Sequence, residues 1–200
     1  IGIRTVKLDY TEIQKKGDGR FNFGVNVEKV FAKGSNWVHL DAYHSRDRQW
    51  VRPTVEMSAD MNCNMLRCWG GNVYEDHEFY NLCDSLGIMI WQDFSFAGSA
   101  YTQSQDLTNQ VEKEIKAVVL KLRNHPSIAL WSGNNECDNS LTWSLQAYSV
   151  NPNKDRLSRG IIPQVLYEFD PTRTYLPSSP YYSQAVYEAG NHDDDLPERH

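Results

Sequence analysis

Two hundred residues with 40 % hydrophobic content are enough to bury a proper core, and that content sets the chain apart from a disordered tail. A formal net charge of −6 with no basic stripe argues against nucleic acid or an anionic membrane as the main partner. No apolar run reaches the roughly 18 residues a bilayer requires; Ile1-Gly2-Ile3 is neither a start methionine nor a signal peptide, so the amino end reads as cut from a longer chain.

Ile1 to Leu8 alternates loosely and runs into a polar stretch with Gly17, Asp18 and Gly19. Residues 1–20 therefore read as the last strand of a preceding β domain and its linker. Phe21, Phe23, Val25 and Val27 alternate next, ahead of Val30-Phe31-Ala32-Lys33-Gly34, which predicts a hairpin leading into a first barrel strand. Its turn, Asn26-Val27, puts a β-branched residue where positive φ is wanted, so strain or remodelling is expected there. From residue 46 the period becomes helical. Arg46 to Met61 carries Val51, Val55, Ala59 and Met61, with Pro53 tolerable only in a first turn. Asn64 to Cys68 follows as a strand. Glu75 to Leu86 aligns Phe79, Leu82, Cys83 and Leu86, and Gly87 falls at the position after the helix. Ile88 to Trp91 is a strand, and Gln105 to Arg123 is a helix that Pro126 prevents from continuing. Ile128 to Trp131 is a continuous apolar run, the pattern of a parallel strand buried on both faces. Leu157 to Phe169 is helical, and Thr174 to Leu176 adds one more strand.

Five strands in βα order, with crossovers long enough for right-handed parallel connections, give the front part of a (β/α)8 barrel over residues 21–200. Five strands cannot close a barrel that needs eight. The fold class is thus α/β, with an incomplete barrel and a remainder expected elsewhere.

The most informative stretch ends the fourth of these strands, where Ser132-Gly133-Asn134-Asn135-Glu136 follows the apolar run directly. Substrates of α/β barrels meet the loops at the carboxyl ends of the strands, so the Asn135-Glu136 pair is placed for chemistry. Arg67-Cys68-Trp69-Gly70-Gly71 and Trp91-Gln92-Asp93-Phe94 end two earlier strands in the same way. Together with Arg123-Asn124-His125-Pro126-Ser127 and Trp131-Ser132-Gly133-Asn134-Asn135-Glu136, these blocks resemble, in order, the catalytic barrel of glycoside hydrolase family 2, most closely its β-mannosidases. The resemblance runs from about Ile1 to about Pro180.

That resemblance implies a TIM barrel preceded by the end of an immunoglobulin-like β-sandwich, and retaining hydrolysis of terminal β-D-mannosides from oligosaccharides without a cofactor. Neutral sugars also suit the acidic balance of the chain. Glu136 would be the general acid and later the general base, a role that calls for apolar neighbours or a second carboxylate; Trp131 is one source of apolar surface. Asn135 would hold the sugar 2-hydroxyl, with Asn134 as the turn-forming neighbour. Arg67 would hydrogen-bond a carboxylate in the mouth, and Trp69 would offer a flat face to a pyranose ring, its two glycines allowing close approach. Asp93 would touch substrate or position a neighbour, with a buried structural aspartate as the equal alternative, and Asn36, Trp37 and Asp41 are weaker candidates. The resemblance places the nucleophile on a seventh strand, beyond this sequence; Glu168 sits on an amphipathic helix, and Glu188 and Glu198 lie in an acidic tail without a strand before them.

The sequence departs from the family pattern at Val27, where glycine is usual, at His39, where proline is usual, and at Asn72 and Cys137. A sister specificity (exo-β-glucosaminidase, β-galactosidase or β-glucuronidase) and a non-catalytic sugar-binding module remain the alternatives. No metal set is assigned. His39 and His44 flank Asp41 without zinc spacing, and the acidic stretch from Asn191 to His200 reads as a solvated terminus. The four cysteines read as free thiols; secreted, periplasmic and cytoplasmic settings are all compatible with them.

Overall fold

A computed structural model describes residues 3–10, 20–141 and 150–188; the Gly17-Asp18-Gly19 stretch and the acidic terminus from Asn191 lie outside the described residues. Strands β1 (Val6–Tyr10), β2 (Phe21–Val25) and β3 (Glu28–Val30) form an antiparallel sheet in the order β1-β2-β3. Strands β4 (Gly34–Trp37), β5 (Met65–Cys68), β6 (Met89–Asp93), β7 (Ile128–Ser132) and β8 (Thr174–Leu176) form a second, parallel sheet in sequential order. The helices between them are α1 (Arg48–Asp60), α2 (His77–Leu86), α3 (Gln105–Leu122), the short α4 (Cys137–Ser140) and α5 (Ile162–Phe169), with α6 (Gln184–Glu188) after β8. All five predicted barrel strands are present, and the described residues carry five of the eight that closure requires.

Each barrel strand serves two cores, because successive side chains point to opposite faces. Leu66, Cys68, Ile90, Ile128 and Trp131 face outward and pack with Val55, Phe79, Val119 and Ile162 from the helices. Met65, Met89, Trp91, Leu130 and Leu176 face the barrel interior. The β1-β2-β3 sheet lies against this inner cluster through Phe23, Leu8 and Val25, with Phe21 tilted over Trp91 at 5.7 Å between ring centroids. A register shift beside Ile90 and Trp91 lets both Ala129 and Leu130 join the inner cluster while Ile128 and Trp131 stay outside.

Local signals account for most helix ends. Ser104 accepts a hydrogen bond from Leu107 N at the start of α3, and Gly87 ends α2 with φ of 73°, a conformation that costs glycine little. Pro53 is a correction to the sequence reading. It sits in the second turn of α1 rather than the first, so its ring removes a donor from the ladder of that helix. The loop before α1 also holds a 3-10 turn at His44–Arg46, and the chain enters α5 through a π-helical turn at Leu157–Ile161.

The Asn26-Val27 turn keeps its tight form. Val25 pairs with Glu28, both turn residues take positive φ (49° and 69°), and Asn26 exchanges hydrogen bonds with Thr5 across the sheet. Val27 is 96 % exposed, so no packing offsets its left-handed backbone. A non-glycine residue in that region costs about 1–2 kcal/mol. Val27→Gly should therefore raise stability by about 1 kcal/mol after allowing for glycine's extra chain entropy, read as a higher urea midpoint with an unchanged slope; an unchanged or lower midpoint would mean that the turn is unstrained.

Candidate active site

The carboxyl ends of β5, β6 and β7 converge on one polar cluster. Asp93 ends β6 with its side chain fully buried, and both carboxylate oxygens are occupied. Arg67, on β5, donates from Nη2 to Asp93 Oδ2 at 2.8 Å and from Nε to Oδ1 at 3.4 Å; Gly70 N reaches Oδ2 at 3.1 Å and Trp91 Nε1 reaches Oδ1 at 2.9 Å. Burial pushes the Asp93 carboxyl up to about 6, against the pull of Arg67 and the other donors, which favour the ionised form. With protein donors on each oxygen, Asp93 is a fully buried, hydrogen-bonded carboxylate that holds Arg67 in place.

Arg67 carries the effect onward, since the same Nη2 donates to Asn135 Oδ1 at 3.0 Å. The Asn135 oxygen thereby accepts from Arg67, which sets the orientation of its amide. The Asn135 backbone is fixed as well, for its N–H donates to Phe96 O and its carbonyl accepts from Gly98 N. Isolated parallel bridges tie Asn135 to Ala97 on one side and Ser179 on the other.

Glu136 follows, half-buried, with φ of 60°. That left-handed conformation is uncommon for a residue with a side chain, and such strain concentrates at functional sites. Three contacts over-determine it. Glu136 N donates to Ser179 O at 2.9 Å, and its carbonyl accepts from Ser140 N. Asn134, as its reading as a turn-former anticipated, accepts from Cys137 N and from Ser178 Oγ while donating to Pro177 O. Below the turn, Arg159 grips Asp138 through both carboxylate oxygens, at 2.7 and 2.5 Å, and Tyr182 N adds a third donor to that carboxylate. Among the described residues, no side chain hydrogen-bonds the Glu136 carboxylate.

Trp69, half-buried, stands beside this cluster. A Cβ on Gly71 would lie 2.1 Å from its indole ring, and one on Gly70 would lie 2.3 Å from Phe96 O, so glycine at both positions lets the tryptophan and the neighbouring loop close in. The sequence reading had these glycines let backbone approach; the backbone that approaches Gly70 is that of Phe94 and Phe96, while Gly71 makes room for the Trp69 ring.

Several expectations are corrected. Trp37 is buried on the outer side of β4, donating from Nε1 to Glu75 Oε1 at 2.9 Å and packing on Phe79, so it is not in the mouth. Trp131 likewise faces the helices, stacked on Phe94 and bonded to Asp170, and supplies no apolar wall to the barrel interior. Asn36, by contrast, lies opposite Arg67 in the sheet and lines a cavity with it, while Asp41 accepts from Tyr43 N in its own loop. The contributions of Phe96, Gly98, Ser178 and Ser179 were not anticipated. Only the Ser178-Ser179-Pro180 run directly after β8, a turn composition at a strand's carboxyl end, could have drawn attention to them.

The family model described as the TIM barrel domain of glycosyl hydrolases family 2 matches residues 21–173. The chain is 40 % identical over 186 residues to a β-mannosidase of Bos taurus and 37 % identical over 198 residues to one of Mus musculus, covering 88 % and 94 % of this chain. It spans about a fifth of the length of those relatives, 21 % and 22 %. A crystal structure of β-D-mannosidase from Dictyoglomus thermophilum superposes with a TM-score of 0.79 at 39 % identity, over 92 % of this chain and 23 % of that one. A β-glucuronidase of Bacteroides uniformis shares the fold at a TM-score of 0.65 and 21 % identity, over 87 % of this chain and 20 % of that one.

The buried pair has a pH consequence. The folded Asp93 carboxyl sits above its ordinary value of 3.8, so the stability it contributes is present at low pH and is lost as pH rises through about 6. Arg67→Met removes the strongest force holding it down. The carboxyl should then titrate higher still, by infrared absorption of the protonated acid; an unshifted titration would show that Arg67 does not govern it.

Proposed function

The chain belongs to glycoside hydrolase family 2, and we propose that it supplies the acid/base half of a site for retaining hydrolysis of terminal β-D-mannosides from oligosaccharides. The carrying observation is Glu136, held in a left-handed turn beside Asn135 at the carboxyl end of β7; the identity of about 40 % to β-mannosidases supports the choice of sugar. The immunoglobulin-like β-sandwich ahead of residue 20, the domain division there, and the strands that complete the barrel beyond β8 belong to the same proposal.

In this reading the Glu136 carboxylic acid protonates the glycosidic oxygen as the bond to the anomeric carbon breaks, and an oxocarbenium-like centre develops. A second carboxylate, carried by the part of the protein beyond this sequence and standing about 5–5.5 Å from that of Glu136, attacks the anomeric carbon from the opposite face and forms a covalent glycosyl-enzyme as the leaving group departs. Glu136, now ionised, then takes a proton from the water that releases the sugar. Asn135 donates from Nδ2 to the sugar 2-hydroxyl oxygen, because its own oxygen is held by Arg67. A hydrogen bond that shortens as the ring flattens contributes most in the transition state. Trp69 provides the stacking face, and Arg67 and Asp93 act through Asn135. The reaction needs no cofactor, and no nucleic acid or membrane enters it.

Glu136→Gln in the intact protein tests the assignment. Turnover of an alkyl or sugar β-mannoside should fall by about 10²- to 10⁴-fold, whereas glycosylation by a dinitrophenyl β-mannoside, whose leaving group needs no proton, should be nearly unaffected. Equal losses on both substrates would remove Glu136 from the acid role, and preferred turnover of a β-glucuronide or β-galactoside would replace the mannoside.

A further inference from the structure

The loop that follows β4 holds a cluster that the proposed chemistry does not use. His39, His44 and Asp47 each present one donor atom, and these atoms all lie within 4.8 Å of one another. The Asp47 side chain is only 3 % exposed, and among the described residues the only basic group within 4 Å of it is His44, whose Nδ1 lies 2.7 Å from Asp47 Oδ2. Its other oxygen accepts from Asp41 N at 2.8 Å, which fixes the carboxylate plane. A buried carboxylate of this kind requires a compensating positive charge.

We infer that His39, His44 and Asp47 form a binding site for a divalent transition-metal ion of the zinc class. Two imidazoles and one carboxylate are a ligand set zinc accepts, with a fourth position left to water. His44 and Asp47 are three residues apart, at the 3-10 turn His44–Arg46 and just after it, and such spacing places two side chains on one face. Bound atoms around a tetrahedral ion at about 2.0–2.1 Å stand roughly 3.3 Å apart, so the His44–Asp47 hydrogen bond must open by a fraction of an ångström as the ion takes the place of its proton. The Asp41 N–H supplies the outer bond that such a carboxylate ligand commonly has. His44 and Asp47 also line a cavity of about 230 Å³ with Tyr74 and Glu75. The sequence reading missed the set because it grouped the histidines with Asp41, whereas the fold brings in Asp47.

The ion would cross-link both ends of the loop between β4 and α1 at the carboxyl face of the barrel, a structural role rather than a step in catalysis. The test is titration of Zn²⁺, and of Co²⁺ as a coloured probe, into the intact protein after chelation, compared with His39→Gln and Asp47→Asn. His39→Gln changes an exposed side chain and leaves the buried carboxylate in place, so it reports binding even if Asp47→Asn unfolds. The inference expects one equivalent of metal, an intense tetrahedral Co²⁺ spectrum, and affinity weakened more than about 10-fold in His39→Gln. Equal Zn²⁺ affinity in wild type and His39→Gln, or no saturable binding by the wild type, would overturn it and leave a plain His44–Asp47 ion pair.

Discussion

The buried contact between Asp93 and Arg67 is the interaction on which the rest of the site depends. Three consecutive barrel strands meet there: Arg67 comes from β5, Asp93 from β6, and Asn135 from the turn after β7. A carboxylate taken out of water is costly unless its oxygens are satisfied, and removing one partner of such a pair typically costs about 3–5 kcal/mol. Here three side-chain donor atoms, Nη2 and Nε of Arg67 and Nε1 of Trp91, and one backbone N–H meet the two oxygens, and the second N–H of the same Nη2 turns toward Asn135. The pair thus converts a burial cost into orientation. With the oxygen of Asn135 accepting from Arg67, the orientation of its amide is fixed and Nδ2 is its donor.

A second constraint keeps Glu136 in a backbone conformation it would not choose alone. The left-handed turn is held from both sides, by Ser179 O on its N–H and by the Asn134 amide bridging Cys137, Ser178 and Pro177. Behind it, the Arg159–Asp138 pair anchors α4 to the π-helical turn before α5 and to the segment after β8. The turn therefore draws on the whole width of the sheet from β6 to β8. This is the economy of the barrel architecture, in which rigid strands carry loops whose ends converge and the chemistry is assembled from residues far apart in sequence.

Much of the fold was legible because apolar periodicity is a local property. The run Ile128 to Trp131 needed no partner to read as a buried parallel strand, and Gly87 marked the end of α2 unaided. Pro53 defeated the same logic, since tertiary packing of Val51 and Val55 keeps α1 continuous past a residue that propensity alone would place at its start. At the site, residue types were readable while their partners were not. Asp93 and Arg67 could each be placed at a strand end, but their contact follows from the parallel register that sets Arg67 opposite Trp91. Trp37 shows the converse: at the end of a four-residue strand, the choice between mouth and outer core turns on one step of the pleat, which the sequence of β4 does not specify. Glu75, read only as a helix start, is the partner that settles it. His39, His44 and Asp47 were hidden for the same reason, as loop geometry and not spacing brings them together.

The most direct test of the account is a crystal structure of the intact protein with a mannose-configured transition-state mimic in the site. The account predicts a Glu136 oxygen within about 2.6–3.2 Å of the atom that stands for the glycosidic oxygen, with Asn135 Nδ2 donating to the 2-hydroxyl and Asn135 Oδ1 still on Arg67. A mimic bound with its 2-hydroxyl on the Asn135 oxygen, or with Glu136 turned away from the glycosidic position, would contradict it.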